Sequence, residues 1–86
     1  MRRENIINKV IGIFREQFEI DNPKFDEDLR DAYEFDSVDA IELLREIELF
    51  LQTPLTLTEK KMAMEIRTIN QIVDYIEQLA SGRNRE

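Results

Sequence analysis

The sequence lacks cysteine, histidine and tryptophan, and it has only two glycines and two prolines in 86 residues. Without cysteine the chain can form no disulfide and offers no thiolate as a nucleophile or metal ligand. Without histidine it lacks the commonest general base and the commonest metal ligand of proteins. A self-contained hydrolase or transferase centre is therefore not expected, and we predict that the protein is not an enzyme.

Long apolar runs are also missing. No stretch approaches the roughly 20 residues that a membrane-spanning helix needs. The first residues, Met-Arg-Arg-Glu-Asn, lack the apolar stretch and the cleavage site of a signal peptide. We expect a cytoplasmic monomer with no membrane span.

The length predicts a single domain over residues 1–86, of which residues 81–86 form a polar tail.

Acidic residues outnumber basic ones by 19 to 12, which gives a net charge of −7. The charge is uneven, because residues 19–48 hold twelve acidic and three basic residues and so carry −9. Such a field repels nucleic acid and attracts proteins that have basic patches. No metal site is expected, because the acidic residues before Asp36 do not follow the spacing of a calcium-binding loop.

Apolar residues recur at helical spacing in three segments. The first predicted helix spans residues 3–18 and the second spans residues 36–51. A short helix can begin at Thr58, and a last helix follows Thr68 and ends near Ser81. No segment alternates with period two for long enough to predict a strand. The sequence therefore predicts an all-α fold, a small bundle of three main helices plus one short helix, with a long loop between helices 1 and 2.

The start of the second predicted helix combines a cap with a hydroxyl group. Asp36 is a suitable N-cap, and Asp39 can reach back to it as in a capping box. Ser37 then occupies the first helical position, at the positive end of the helix dipole. Two stripes follow at spacings of three and four. One is apolar and is predicted to be buried: Val38, Ile41, Leu44, Ile47 and Leu51. The other is acidic and lies on a different face: Asp39, Glu42 and Glu46.

The segment Asp36-Ser37-Val38-Asp39, followed by Ile41-Glu42-Leu43, resembles the attachment motif of the acyl carrier proteins, Asp-Ser-Leu-Asp followed by an apolar-Glu-Leu step. The segment Phe25-Asp26-Glu27-Asp28-Leu29 resembles the family's Phe-x-x-Asp-Leu element in the loop before that motif, so we expect Phe25 and Leu29 to pin the loop to the core. The resemblance covers residues 5–80.

The resemblance implies a function. Ser37 would carry a covalent 4′-phosphopantetheine group, transferred from coenzyme A by a phosphopantetheinyl transferase. Acyl groups would be carried on it as thioesters and presented to partner enzymes of fatty acid, lipid or polyketide biosynthesis, which are acyl-transferring, synthase or ligase enzymes with basic docking patches. The residues implied in partner binding are Asp36, Asp39, Glu42 and Glu46. The residues implied in an acyl-chain pocket are Val38, Leu43, Met62, Met64 and Ile66.

The sequence departs from the family pattern before the motif. Residues 30–35 separate Asp28-Leu29 from Asp36-Ser37, where the family typically has a couple of residues, usually with a glycine; this chain has Glu34-Phe35 instead. Arg45 also interrupts the acidic helix. These departures are at least as compatible with a carrier of a specialised pathway as with one of fatty acid synthesis.

Two other functions are compatible with the sequence. One is an aminoacyl or peptidyl carrier, although the acidic bias and the Asp-x-x-Glu pattern after Ser37 favour an acyl carrier. The other is an unmodified acidic helical adaptor that binds proteins only. The adaptor hypothesis predicts that Ser37 can be replaced without consequence.

Overall fold

The computed structural model describes residues 2–83, which form helices and connections without a strand. The predicted all-α fold is confirmed. The helices are α1 (Arg3–Phe18), α2 (Leu29–Tyr33), α3 (Ser37–Leu51), α4 (Leu57–Ala63) and α5 (Ile69–Arg83). The three long helices and the short α4 were predicted, whereas α2 lies inside the segment that was predicted to be a loop.

The additional helix α2 owes its existence to a local cap. The Asp28 side chain accepts hydrogen bonds from the backbone N–H groups of Arg30, at 2.9 Å, and Asp31, at 3.1 Å. A helix of five residues is too short for an apolar periodicity, so the sequence pattern gave no sign of it. It ends at Tyr33, and the C-cap residue Glu34 has left-handed backbone angles with φ of 54°.

The ends of α4 and α5 differ from the prediction. The N-cap of α4 is Thr56, not Thr58, because Thr56 and Glu59 exchange hydrogen bonds of 2.8 and 3.1 Å in a capping box. Helix α5 continues beyond Ser81 to Arg83, so part of the predicted polar tail is helical. Residues 84–86 of that tail lie outside the described residues.

The core is made by the inner faces of α1, α3 and α5. Helix α1 packs against both α5 and α3. The fully buried apolar side chains include Ile6, Val10, Phe14, Leu29, Ile47, Ile69, Ile72, Val73 and Ile76. On the outside, Arg3 Nη1 bridges α1 to α5 through Asp74, at 2.7 Å, and Glu77, at 2.9 Å. The hydrogen bond to Asp74 is the main cause that raises the pKa of the Arg3 guanidinium.

The segment between α1 and α3 is fixed to the rest of the bundle, as predicted. Leu29 is buried and Phe25 packs against the core. Two backbone hydrogen bonds join the same segment to the start of α5: Leu29 N–H donates to Arg67 O at 2.8 Å, and Asn70 N–H donates to Phe25 O at 3.0 Å. These bonds bring α2 beside the connection between α4 and α5.

The predicted buried stripe of α3 is wrong in its first two turns. Val38 is 73% exposed and Ile41 is 67% exposed, whereas Leu43 and Ile47 are buried. Ile41 borders a groove that α2 and the short α4 leave beside the start of α3, whereas Val38 lies outside this groove on the open surface. None of the helices among the described residues is long and apolar enough to cross a membrane.

Candidate functional site

The N-terminus of α3 is closed by a reciprocal capping box. Asp36 Oδ1 accepts a hydrogen bond from the Asp39 N–H at 3.0 Å, and Asp39 Oδ2 accepts one from the Asp36 N–H at 3.1 Å. The prediction of this cap is confirmed. Each carboxylate is thus used by the backbone of the first turn. Ser37 lies between the two aspartates at the first helical position, and its side chain is exposed.

Phe35, two residues before Ser37, fixes the direction from which the chain enters α3. Its ring stacks on Phe14 and meets Phe18 edge to face, with ring centroids 5.7 and 5.2 Å away respectively. Its N–H donates to Leu29 O at 3.2 Å. The sequence places Phe35 near Ser37 but does not predict this aromatic cluster, because no spacing along the chain joins residues on different elements.

A groove of about 360 Å³ opens beside Ser37, between α3 on one side and α4 with its following connection on the other. The buried residues Leu29, Leu43 and Ile47 are part of its lining. Its other lining residues are Arg30, Phe35, Asp36, Ser37, Ala40, Ile41, Leu44, Lys60, Ala63, Met64, Ile66 and Arg67.

The residues implied in an acyl-chain pocket divide between this groove and the open surface. Leu43, Met64 and Ile66 line the groove. Val38 and Met62 do not, and they are 73% and 52% exposed. On a helix, Ser37 shares a face with residues three and four positions later, which are in the groove lining, whereas Val38 is turned away from that face.

The four acidic residues implied in partner binding remain available to a partner. Asp36 is exposed, and Asp39, Glu42 and Glu46 are half-exposed along α3. Over residues 2–83, none of them forms an ion pair with a lysine or arginine. Their negative field is therefore not neutralised within the described chain, and the exposed side chains of Val38 and Ile41 lie on the same helix.

Three cationic side chains line the groove, and the sequence did not predict that they lie together. Arg30 comes from α2, Lys60 from α4 and Arg67 from the connection before α5. The Arg67 Nη1 group donates to the backbone carbonyls of Met64, at 2.8 Å, and Ile66, at 2.9 Å. No signal in the sequence could have joined them, because only the tertiary contacts of α2 and α4 bring them to one groove.

Ser37 has no means of activating its own hydroxyl group. The chain contains no histidine, and the neighbouring aspartates are engaged with the backbone of the capping box. A serine without an adjacent general base is a weak nucleophile. An exposed hydroxyl at a capped helix N-terminus, where the dipole favours an anion, nevertheless fits a phosphate ester that another enzyme attaches.

The family model of the phosphopantetheine attachment site matches residues 8–76. None of the curated proteins and none of the solved structures searched gives a significant match. The matched range contains α2, α3 and α4 entirely, together with Ser37 and every residue of the groove lining. Domains of this family are the place of covalent 4′-phosphopantetheine attachment. Because the match extends over most of its length, the chain belongs to the family of phosphopantetheine-carrying domains.

Proposed function

We propose that the protein is an acyl carrier protein and that Ser37 is its attachment residue. The observation that supports this most directly is the exposure of Ser37 at the first position of α3, at the edge of the groove. The phosphodiester would lie at a helix N-terminus, where free N–H groups and the dipole favour negative charge. Asp36 and Asp39 would oppose it, so the covalent bond rather than a charged pocket would hold the group.

The chain's own residues position the group and do no chemistry on it. A phosphopantetheinyl transferase supplies the base that Ser37 lacks, with coenzyme A as the donor. When bound, the 4′-phosphopantetheine group supplies a thiol that holds an acyl group as a thioester. The capping box and Phe35 keep the backbone of Ser37 in one orientation for each enzyme that docks.

The groove favours an acyl cargo over an aminoacyl or peptidyl one. Most of its lining is apolar and includes the buried side chains of Leu43 and Ile47. An acyl chain gains free energy in such a space because its apolar surface leaves water. Met64 is flexible enough to repack around a guest. We therefore propose a role in fatty acid, lipid or polyketide biosynthesis. We also propose that the protein acts in the cytoplasm and as a monomer.

Docking would use the acidic face of α3. Asp36, Asp39, Glu42 and Glu46 would meet lysines and arginines on the transferase and on acyl-transferring, synthase or ligase enzymes. Charges at the rim of an interface mainly raise association rates, and their effect weakens with salt. That behaviour suits a carrier that must bind and leave several enzymes. The exposed Val38 and Ile41 would supply apolar contact in the same interface.

The test is the intact mass of the protein after incubation with coenzyme A and a broad-specificity phosphopantetheinyl transferase. The chain has two serines, which provides a matched control. The parent and Ser81→Ala should each gain one phosphopantetheine, and Ser37→Ala should gain none. A gain in Ser37→Ala, or no gain in the folded parent beside an active enzyme control, would contradict the proposal.

A further inference from the structure

The groove beside Ser37 has the opposite charge to the surface around it. Three of its lining residues are cationic and only one, Asp36, is anionic. The chain as a whole carries −7, and residues 19–48 carry −9. Cations are the minority charge of this protein, so their gathering at one groove from three separate elements calls for a physical explanation.

The cations of the groove are not explained by pairing within the protein. Over residues 2–83, neither Arg30 nor Lys60 forms an ion pair with an acidic residue, although Arg30 is surrounded in sequence by Glu27, Asp28 and Asp31. Arg67 is different, because its hydrogen bonds to Met64 and Ile66 carbonyls orient the guanidinium. Because those carbonyls are neutral groups, they do not neutralise the positive charge of Arg67.

A purely apolar occupant would gain nothing from these side chains. Arg30 and Lys60 are exposed, so their charged ends stay in water beside a hydrocarbon chain and add nothing to its binding. An occupant with an anionic end gains charge-assisted hydrogen bonds from them. The combination of apolar lining and cationic side chains therefore matches a cargo that is apolar along its length and anionic at its end.

We propose that the groove is selective for acyl groups that end in a carboxylate, with Lys60 and Arg30 as the cations that recognise it. The inference rests on the proposed function, since the acyl group must first be attached through Ser37. The other anion that could reach these cations is the phosphodiester of the attached group itself. That phosphate is held by its bond to Ser37 at the N-terminus of α3, whereas Lys60 comes from α4 on the other side of the groove.

The experiment compares two cargoes of equal carbon count, octanoyl and suberoyl, the second of which ends in a carboxylate. Each is loaded on the full chain from its coenzyme A thioester, and loading is verified by intact mass. The readout is the rate at which hydroxylamine cleaves the thioester, which falls when the acyl chain is held in the groove. At low salt the suberoyl form should react more slowly by about two- to five-fold, the range expected of a partly exposed ion pair.

Charge variants identify the residues responsible. Lys60→Gln and Arg30→Gln should each reduce the difference between the two cargoes, and high salt should reduce it in the parent. Lys61→Gln is the matched control, because Lys61 is an exposed lysine on the same helix that does not line the groove. It should leave the difference unchanged.

Three results would overturn the inference, and they are distinguishable. Equal rates for the two cargoes in the parent would remove the selectivity. In a second case, Lys60→Gln changes the cleavage rates of both cargoes equally and also lowers the thermal stability of the protein that carries phosphopantetheine alone. That result would assign the cations to the phosphate of the attached group. Failure of Ser37 to accept any group would overturn the proposed function, and the cargo inference with it.

Discussion

Phe35 stacks on Phe14 with their ring centroids 5.7 Å apart and their ring planes inclined by 14°. Phe14 is fully buried on α1, and Phe35 is separated from Ser37 by Asp36 alone. The position of Ser37, the proposed attachment residue, therefore depends on an aromatic contact with a different helix. The bulky residue that distinguishes this chain before its motif is a structural support of the site.

Phe35→Ala should lower the stability and slow the modification of Ser37. The half-buried ring leaves a cavity against Phe14 and Phe18, so we expect a loss of about 2 kcal/mol in the free energy of unfolding, measured in urea. The rate of phosphopantetheine transfer should fall even where the variant remains folded. Phe50→Ala is the control, because Phe50 is also half-buried but lies at the other end of α3. Parent-like transfer to folded Phe35→Ala would contradict the supporting role.

Glu34→Gly should stabilise the protein. Glu34 has φ of 54°, a left-handed conformation in which a side chain is strained and glycine is not. We expect a gain of about 0.5 to 1 kcal/mol in the free energy of unfolding. Glu34→Ala removes the same charge but keeps Cβ, so an equal gain in that variant would attribute the effect to charge and contradict the backbone explanation.

Two substitutions of Asp36 should separate its capping role from its proposed docking role. Asp36→Asn keeps a side-chain oxygen for the Asp39 N–H and should leave stability nearly unchanged, whereas Asp36→Ala should cost about 1 kcal/mol. Both remove the charge, so both should slow transferase-catalysed loading at low salt, with a smaller effect at high salt. Parent-like loading of Asp36→Asn at low salt would argue against docking through this carboxylate.

Two isoleucines on α3 should respond differently to truncation. Ile47 is fully buried, so Ile47→Ala should lower the free energy of unfolding by about 3 kcal/mol. Ile41 is 67% exposed, so Ile41→Ala should change it by less than about 0.5 kcal/mol. Because Ile41 lines the groove, its truncation should instead make an octanoyl thioester react faster with hydroxylamine. A large stability loss in Ile41→Ala would contradict its exposed placement.

The helix starts were predictable because their determinants are local. Asp36 and Asp39 form a capping box within three residues, and the exchange of hydrogen bonds that the sequence predicts there is present. Thr68, after which the last helix was expected, forms another with Gln71. The wrong start of α4 has a local cause as well. Thr56 and Thr58 are both possible caps, and Glu59 selects Thr56 because it stands three residues after it.

The site was only partly predictable. The motif predicts a role for Ser37 and its acidic neighbours, since these residues are adjacent in the chain. The apolar spacing on α3 predicted that Val38 and Ile41 are buried, and both are exposed. Periodicity reports which residues share a helix face, but it does not report whether another element covers each turn of that face.

By itself, the sequence determined the all-α composition, the long helices, the capped start of α3 and the family signature around Ser37, because each depends on residues within about one helical turn of one another. Only the tertiary structure decided that Phe35 is held by α1, that the first turns of α3 border a groove, and that Arg30, Lys60 and Arg67 line it. Those features arise from contacts between elements far apart in the chain, and no spacing along the sequence encodes them.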